Sequence, residues 1–173
     1  MTETETATET VTITMAPAEA PSVTADAGGG GTATGEIGAA LPLTWSGYDN
    51  SGVAKTSTGT VTVYAAKWMT EIAGAFDQKP EKGAYLVIDV GYVGKTGAVP
   101  YKPFDFNVKD AAGHEYNGTA AQLDEPGLSS GDLKVGAKAR GSLVFDLPRG
   151  AVTLTLAPSA AMAGDLATWA IPA

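Results

Sequence analysis

The chain has 173 residues, 44% of them hydrophobic, 17% charged and 8% aromatic, and 11 Lys and Arg against 19 Asp and Glu leave a net charge of −8. This suits one domain with a tail, while the absence of Cys and a single histidine, His114, exclude a disulfide scaffold, thiolate chemistry, His-clustered metal sites and Ser-His-Asp triads. The acidic balance opposes binding to nucleic-acid phosphates and to anionic membrane surfaces, and no run approaches the roughly 20 apolar residues of a bilayer span.

Residues 1–35 hold ten Thr, seven Ala, five Gly, four Glu and one Asp, with no aromatic residue and no Lys or Arg. They carry −5 of the total −8 and have too little apolar side chain to offset the entropy of ordering. Gly28-Gly29-Gly30-Gly31 makes a flexible joint. The segment is read as a disordered acidic linker, the alternative being a stretch without function. Thr-, Ala- and Pro-rich stalks of this kind separate folded domains from a wall or membrane anchor. Met1 to Thr6 has neither the basic nor the apolar region of a signal peptide. The expectation is therefore an export signal upstream, of lipoprotein type with a modified Cys outside this chain.

From Glu36 the apolar residues follow a period of two, which predicts strands. Leu41 and Leu43 lead into Trp45, and Ser46 to Gly52 reads as a loop. Val61 and Val63 alternate with Thr60 and Thr62, continuing through Tyr64 to Trp68. Trp68 to Phe76 is a weak helical candidate interrupted by Gly74. Leu86, Ile88, Val90 and Tyr92 line one face of the strongest strand. Tyr85, Val87 and Val93 line its other face, which places that strand centrally in a sheet. Gly94-Lys95-Thr96-Gly97 reads as the following turn. Phe104, Phe106 and Val108 alternate with Asp105, Asn107 and Lys109. Asp110-Ala111-Ala112-Gly113 then closes a hairpin into His114-Glu115-Tyr116. Leu143, Phe145 and Leu147 form the next strand, Pro148-Arg149-Gly150 a tight connection, and Val152, Leu154 and Leu156 another strand. Ala157 to Ala167 is a second weak helical candidate or a loop, and Trp169 and Ile171 end the chain in a short strand. The fold class is all-β: about seven or eight strands in an antiparallel β-sandwich over residues 36–173, preceded by the linker of residues 1–35. A domain of this size needs no disulfide.

The run Lys79-Pro80-Glu81-Lys82-Gly83-Ala84-Tyr85-Leu86-Val87-Ile88-Asp89-Val90 resembles the core motif of the telokin-like domains of unknown function 4352 (DUF4352), an extracytoplasmic bacterial family. That family is itself structurally similar to the mycobacterial immunogenic protein MPT63. Phe104 to Tyr116, Leu133-Lys134-Val135-Gly136 and Gly141-Ser142-Leu143-Val144-Phe145-Asp146-Leu147-Pro148 resemble further family motifs, in the same order. The similarity covers about residues 36–173. It implies an immunoglobulin-like sandwich on a secreted or surface-anchored protein, often a lipoprotein and often actinobacterial, and it implies no activity. One departure is Gly94-Lys95-Thr96-Gly97, where the family commonly has an Asn-Thr-Gly turn; this alters a turn and leaves the fold alone.

The remaining residues are read for sites. Asp146, before Leu147-Pro148, suits hydrogen bonding to turn amides, and Gly141 suits a bend or a close strand approach. Asp89 lies among apolar residues, half-buried and hydrogen-bonded or at a sheet edge; a structural role is the leading reading and a functional one stays open. His114 has no second His and reads as an exposed turn residue. Asp124, Glu125 and Asp132 lack the spacing of a Ca²⁺ loop, and paired carboxylates for glycoside hydrolysis cannot be told from surface charges by sequence. Asn117-Gly118-Thr119 fits a glycosylation sequon and equally a turn, and no phosphate-binding Gly-Lys-Ser/Thr loop occurs. No catalytic residue, metal or cofactor is assigned.

Trp45, Tyr48, Tyr64, Trp68, Tyr101 and Tyr116 fall at strand ends or in loops, where exposed rings stack on sugars or anchor partners. Trp45, Trp68 and Trp169 read better as core, leaving Tyr48, Tyr64, Tyr101 and Tyr116 as candidate partner-binding aromatics. The leading reading is a non-enzymatic, surface-tethered extracytoplasmic binding module. Its partner is an unknown protein or cell-envelope component, with no nucleic acid, and with membrane contact only through a lipid anchor outside the chain. The alternatives are a glycan- or cell-wall-binding module, which requires an exposed coplanar aromatic strip, and an enzyme, which requires titratable groups converging in a cleft.

Overall fold

Alternation turns one face of each long strand toward a shared core, and the register between strands decides what the opposite faces present. The protein is described by a computed structural model over residues 32–48, 52–72, 79–121, 123–158 and 166–173, and of Tyr48 the backbone alone. Eleven strands run through these residues. In chain order they are β1 (Ala33–Gly35), β2 (Ala40–Tyr48), β3 (Ala54–Met69), β4 (Ala84–Thr96), β5 (Val99–Tyr101), β6 (Phe106–Asp110), β7 (Glu115–Asn117), β8 (Gly131–Leu133), β9 (Lys138–Leu147), β10 (Val152–Leu156) and β11 (Ala167–Ile171). Four of them, β1, β5, β7 and β8, have three residues each, too few for a period of two to be read, which is why the sequence suggests seven or eight.

The strands form a four-stranded sheet in the order β2-β3-β4-β9, a five-stranded sheet in the order β1-β11-β10-β6-β7, and a β5–β8 pair. All pairings are antiparallel except β1 with β11, which is parallel. Leu41, Val63, Ile88 and Phe145 from the first sheet and Phe106, Leu154 and Trp169 from the second belong to one buried cluster, so the sheets pack face to face.

The central strand is β4, between β3 and β9. The apolar outer face at its start is explained by a second buried cluster, in which Tyr85 and Val144 pack with Ile72 against Val87, Ala121 and Leu123. β4 continues through Thr96, so the turn falls at Gly97 and not across Gly94-Lys95-Thr96-Gly97.

Four other expectations are revised. Strand β1 lies inside the stretch assigned to the linker, and its residues pair with Ala167, Thr168 and Trp169 as part of a sheet; residues 1–31 lie outside the described residues. Trp68 and Met69 belong to β3, not to a helix, while residues 73–76 and 159–165 of the two helical candidates lie outside the described residues. β2 runs through Tyr48, which shortens the loop predicted over Ser46 to Gly52, whose residues 49–51 are likewise not described. Phe104 does not continue the alternation: Pro103–Asp105 form a 3-10 turn that leaves Phe104 81% exposed and buries Asp105. Pro fits the first position of such a turn because its fixed φ and missing N–H cost nothing there.

Candidate functional site

The outer face of the four-stranded sheet carries a cluster built on a β-bulge. Val63 pairs with Val90 and Ala65 with Asp89, so Tyr64 is the extra residue on β3 with no cross-strand partner. A bulge bends the strand and re-aims a side chain. Here it turns Tyr64 outward and inverts the parity of β3, so that Val61 and Val63 before it and Ala66 and Trp68 after it all contribute to the main core. The Tyr64 ring has room because its neighbour on β4 is Gly91: a Cβ there would come 2.9 Å from Tyr64 Cε2.

Arg140 of β9, the register partner of Gly91, reaches over this ring, with its guanidinium carbon 4.2 Å from the ring centroid. Its Nε donates to both Asp89 oxygens at 3.0 and 3.2 Å, and its Nη2 donates to Oδ2. The hydrogen bonds to Asp89 hold the Arg140 pKa above its ordinary value. Asp89 is thus half-buried and fully engaged on the central strand, and the fork geometry of Arg makes the pair bidentate. Tyr64 itself remains 43% exposed.

Beyond Asp89 the surface continues to Ser142, its partner on β9, whose hydroxyl donates to Glu125 Oε2 at 3.4 Å. The open edge of β9 is covered by residues 118–119 and 126–128. Thr119 N donates to Val144 O at 2.7 Å, Leu128 N to Ser142 O at 3.0 Å, and Ser142 N to Pro126 O at 3.0 Å. The Asn117-Gly118 pair is therefore no hairpin turn; it leads from β7 into this cover. Between the cover and β9 lies a cleft of about 330 Å³, with Leu123, Leu128 and Val144 in its apolar lining, Phe104 at it, and Glu125 as the one ionisable side chain among the described residues that line it.

The other sequence candidates lie elsewhere. Tyr101 and Tyr116, expected as exposed anchors, are half-buried against the main core. Tyr101 packs on Tyr92 with ring centroids 5.8 Å apart and its hydroxyl meets Ser129 Oγ at 3.3 Å. Tyr116 donates to Asp110 Oδ2 at 3.1 Å, with Lys82 Nζ 5.3 Å from its ring centre. Tyr64, Tyr101 and Tyr116 are engaged with different neighbours on different sheets and do not form one patch. The side chain of Tyr48 lies outside the described residues. Trp169 is fully buried, as expected of a core residue, whereas Trp45 and Trp68 are half-buried, Trp68 donating to Pro172 O at 2.9 Å. Asp146 accepts from the amides of Glu81 at 2.8 Å and Lys82 at 3.0 Å, which ties the turn before β4 to β9. Asp124, Glu125 and Asp132 do not converge: no group of three or more His, Asp or Glu is placed to hold a metal ion among the described residues.

The hairpin at Asp110 is as expected. Gly113 adopts φ +90°, and Asp110 Oδ1 accepts from the amides of Ala112 and His114, both at 2.9 Å. Its Oδ2 contacts His114 Nδ1 at 3.0 Å. Desolvation raises the Asp110 pKa, but the hydrogen bonds from the His114 side chain and backbone and from Tyr116 outweigh it and lower it from 3.8 to about 2. A carboxyl depressed in the folded state stabilises fully above its unfolded pKa and loses that contribution as pH falls through its folded value. The melting temperature is therefore expected to fall between pH 3.8 and about 2 partly through this group, and Asp110→Asn to flatten that fall. Thermal melts of both proteins across the window check it; superimposable acid limbs would refute it.

Arginine 140 and Phe104 were not singled out by sequence reasoning. Pro103 carried a usable signal for Phe104, because Pro interrupts a strand period. Nothing local marks Arg140, whose partner Asp89 is set by the register of β4 and β9.

Two sheets, antiparallel except for the β1–β11 pair, packed over one core make this an immunoglobulin-like β-sandwich domain. The chain belongs to the DUF4352 family, a domain of unknown function, which matches residues 52–167. Its fold is similar to that of MPT63, a secreted protein from Mycobacterium tuberculosis, with 19% identity, a TM-score of 0.58, and coverage of 80% of this chain and 96% of that one. It is also similar to the yjhA protein of Bacillus subtilis, with 19% identity, a TM-score of 0.50, and 73% and 82% of the two chains covered. The ycdA protein of Bacillus subtilis is 13% identical with a TM-score of 0.51, over 66% of this chain and 36% of that one. No curated protein matches the sequence.

Proposed function

We propose that the chain is a non-enzymatic, extracytoplasmic binding module, tethered at the cell surface, that engages a protein or envelope component through the outer face of its four-stranded sheet. The observation that carries this is the Tyr64–Arg140–Asp89 cluster: a ring aimed outward by a bulge, stacked under a guanidinium that is locked by a bidentate carboxylate. Tyr and Arg dominate binding hot spots, and a side chain ordered before binding loses less entropy on contact. The secreted location of the similar mycobacterial protein supports an extracytoplasmic setting, and the Thr- and Ala-rich residues 1–31 support a tether. The cleft has Glu125 as its one ionisable lining residue among those described, which favours binding over acid–base chemistry. The exposed large aromatics among the described residues, Tyr64 and Phe104, stand on different elements, which favours a protein partner over a sugar strip.

The full chain, immobilised and incubated with solubilised cell envelope, is expected to retain a partner. A Tyr64→Ala, Arg140→Gln double variant of unchanged circular dichroism is expected to retain at least about tenfold less. Equal recovery by both proteins, or none above bare beads, would overturn the proposal.

A further inference from the structure

The cleft beside β9 and the aromatic residue at it make a self-complementary patch, on different residues from the Tyr64 cluster. Phe104 is 81% exposed, the most exposed of the large apolar side chains among the described residues. Leaving a Phe in water forgoes the burial of a large apolar side chain. The 3-10 turn holds it out, with Pro103 beside it, and both residues line the cleft. Most of the remaining wall is small or apolar, with Leu123, Leu128 and Val144 among it, and its polar members are Thr119, Ser142 and Glu125. Its roughly 330 Å³ is at the lower end of ligand pockets, a size for one or two side chains.

The charges match as well. Glu125 lines the cleft and the exposed Asp124 precedes it in the chain. Lys102 stands two residues before Phe104 and is exposed. One patch therefore offers an aromatic knob beside a cation and an apolar hole beside carboxylates. A surface that complements itself satisfies a twofold interface, in which each contact is made twice.

We propose that this patch is a homodimer interface: Phe104 of each copy enters the cleft of the other, and Lys102 of each meets the other's Glu125 and Asp124. The knob lies at its own cleft, so one twofold axis serves both insertions. Strand addition is not the mode, because Thr119, Pro126 and Leu128 already take up backbone groups at the β9 edge. The interface is small, of the transient class.

Sedimentation velocity of the full chain over a concentration series is expected to show a reversible monomer–dimer equilibrium that weakens with salt. Phe104→Asp is expected to raise the dissociation constant at least about tenfold. As Phe104 is exposed, its melting temperature should stay unchanged, which separates lost association from lost folding. Lys102→Glu and Glu125→Lys should each weaken the dimer, and the double swap should restore it. Tyr64→Ala should leave it intact while removing the partner binding proposed above, so the two readings fail separately. A monomer at every concentration, or a dimer indifferent to Phe104→Asp, overturns the proposal; so does a swap that fails to restore what the single charge reversals lose.

Discussion

Replacing Trp169 by alanine is expected to destabilise the domain by about 3–5 kcal/mol, the largest effect of any single truncation considered. Trp169 is fully buried on β11, an interior strand, where its register partners are Leu154 on one side and Gly35 on the other. Gly35 is small for a reason: a Cβ there would lie 2.7 Å from Leu41 Cδ1 and 2.9 Å from Trp169 Nε1. Removing the indole leaves a cavity between two sheets that cannot collapse without breaking the register of β1, β10 and β11. Domains have about 5–15 kcal/mol of total stability, so the variant should melt about 6–20 °C lower. Trp169→Phe should cost less than half as much. It leaves a smaller void, and it removes an indole N–H that has no hydrogen-bond partner among the described residues. Urea titrations followed by far-ultraviolet circular dichroism check both. A Trp169→Ala cost within about 1 kcal/mol would refute the packing argument.

Gly141→Val is expected to cost about 2–3 kcal/mol or more, through overpacking. A Cβ at residue 141 would sit 2.5 Å from Leu128 Cα and 2.6 Å from Gly127 C, and nearer still to Leu128 N. These are backbone atoms, held by the bonds between Leu128 N and Ser142 O and between Ser142 N and Pro126 O. They cannot yield as a flexible side chain would. Either β9 bends away or the cover lifts, and a lifted cover bares a sheet edge, which invites association. The Ser142 amide, bonded to Pro126 O, should then exchange with solvent much faster than in the parent protein. Unchanged exchange there, with unchanged stability, would show that the cover does not depend on this glycine.

The features legible in the sequence are those whose cause lies within a few residues. Leu86 to Tyr92, Leu143 to Leu147 and Val152 to Leu156 announce strands because alternation is local, and both-face apolarity marked β4 as central. The Asp110–Gly113 hairpin is legible for the same reason: Asp accepts from the amides of its own turn, and Gly takes the positive φ. Asp146 was legible in kind, as an acceptor for turn amides, though the turn it holds, at Glu81 and Lys82, is 64 and 65 residues away. Gly141 was legible as a close approach, but not what approaches it.

The candidate site was legible only in fragments. Tyr64 could be named as an aromatic at the end of a periodic run, yet the run from Val63 to Trp68 changes parity, and that is the trace of the bulge. Asp89 was marked by its apolar surroundings without its partner. Phe104 was placed on the wrong side because Phe106 and Val108 continue its alternation, while Pro103 forces a turn that resets it.

By itself the sequence determined an all-β domain, its longer strands and their buried faces, the hairpin at Asp110 and an acidic, Thr-rich N-terminal segment, because periodicity, turn chemistry and composition are properties of neighbours along the chain. Tertiary structure alone decided that Arg140 crosses Tyr64 to reach Asp89, that Thr119, Pro126 and Leu128 bond the β9 edge, and that β1 joins the five-stranded sheet in parallel. Each of these depends on the register of strands distant in sequence, where a shift of one residue moves every side chain to the opposite face.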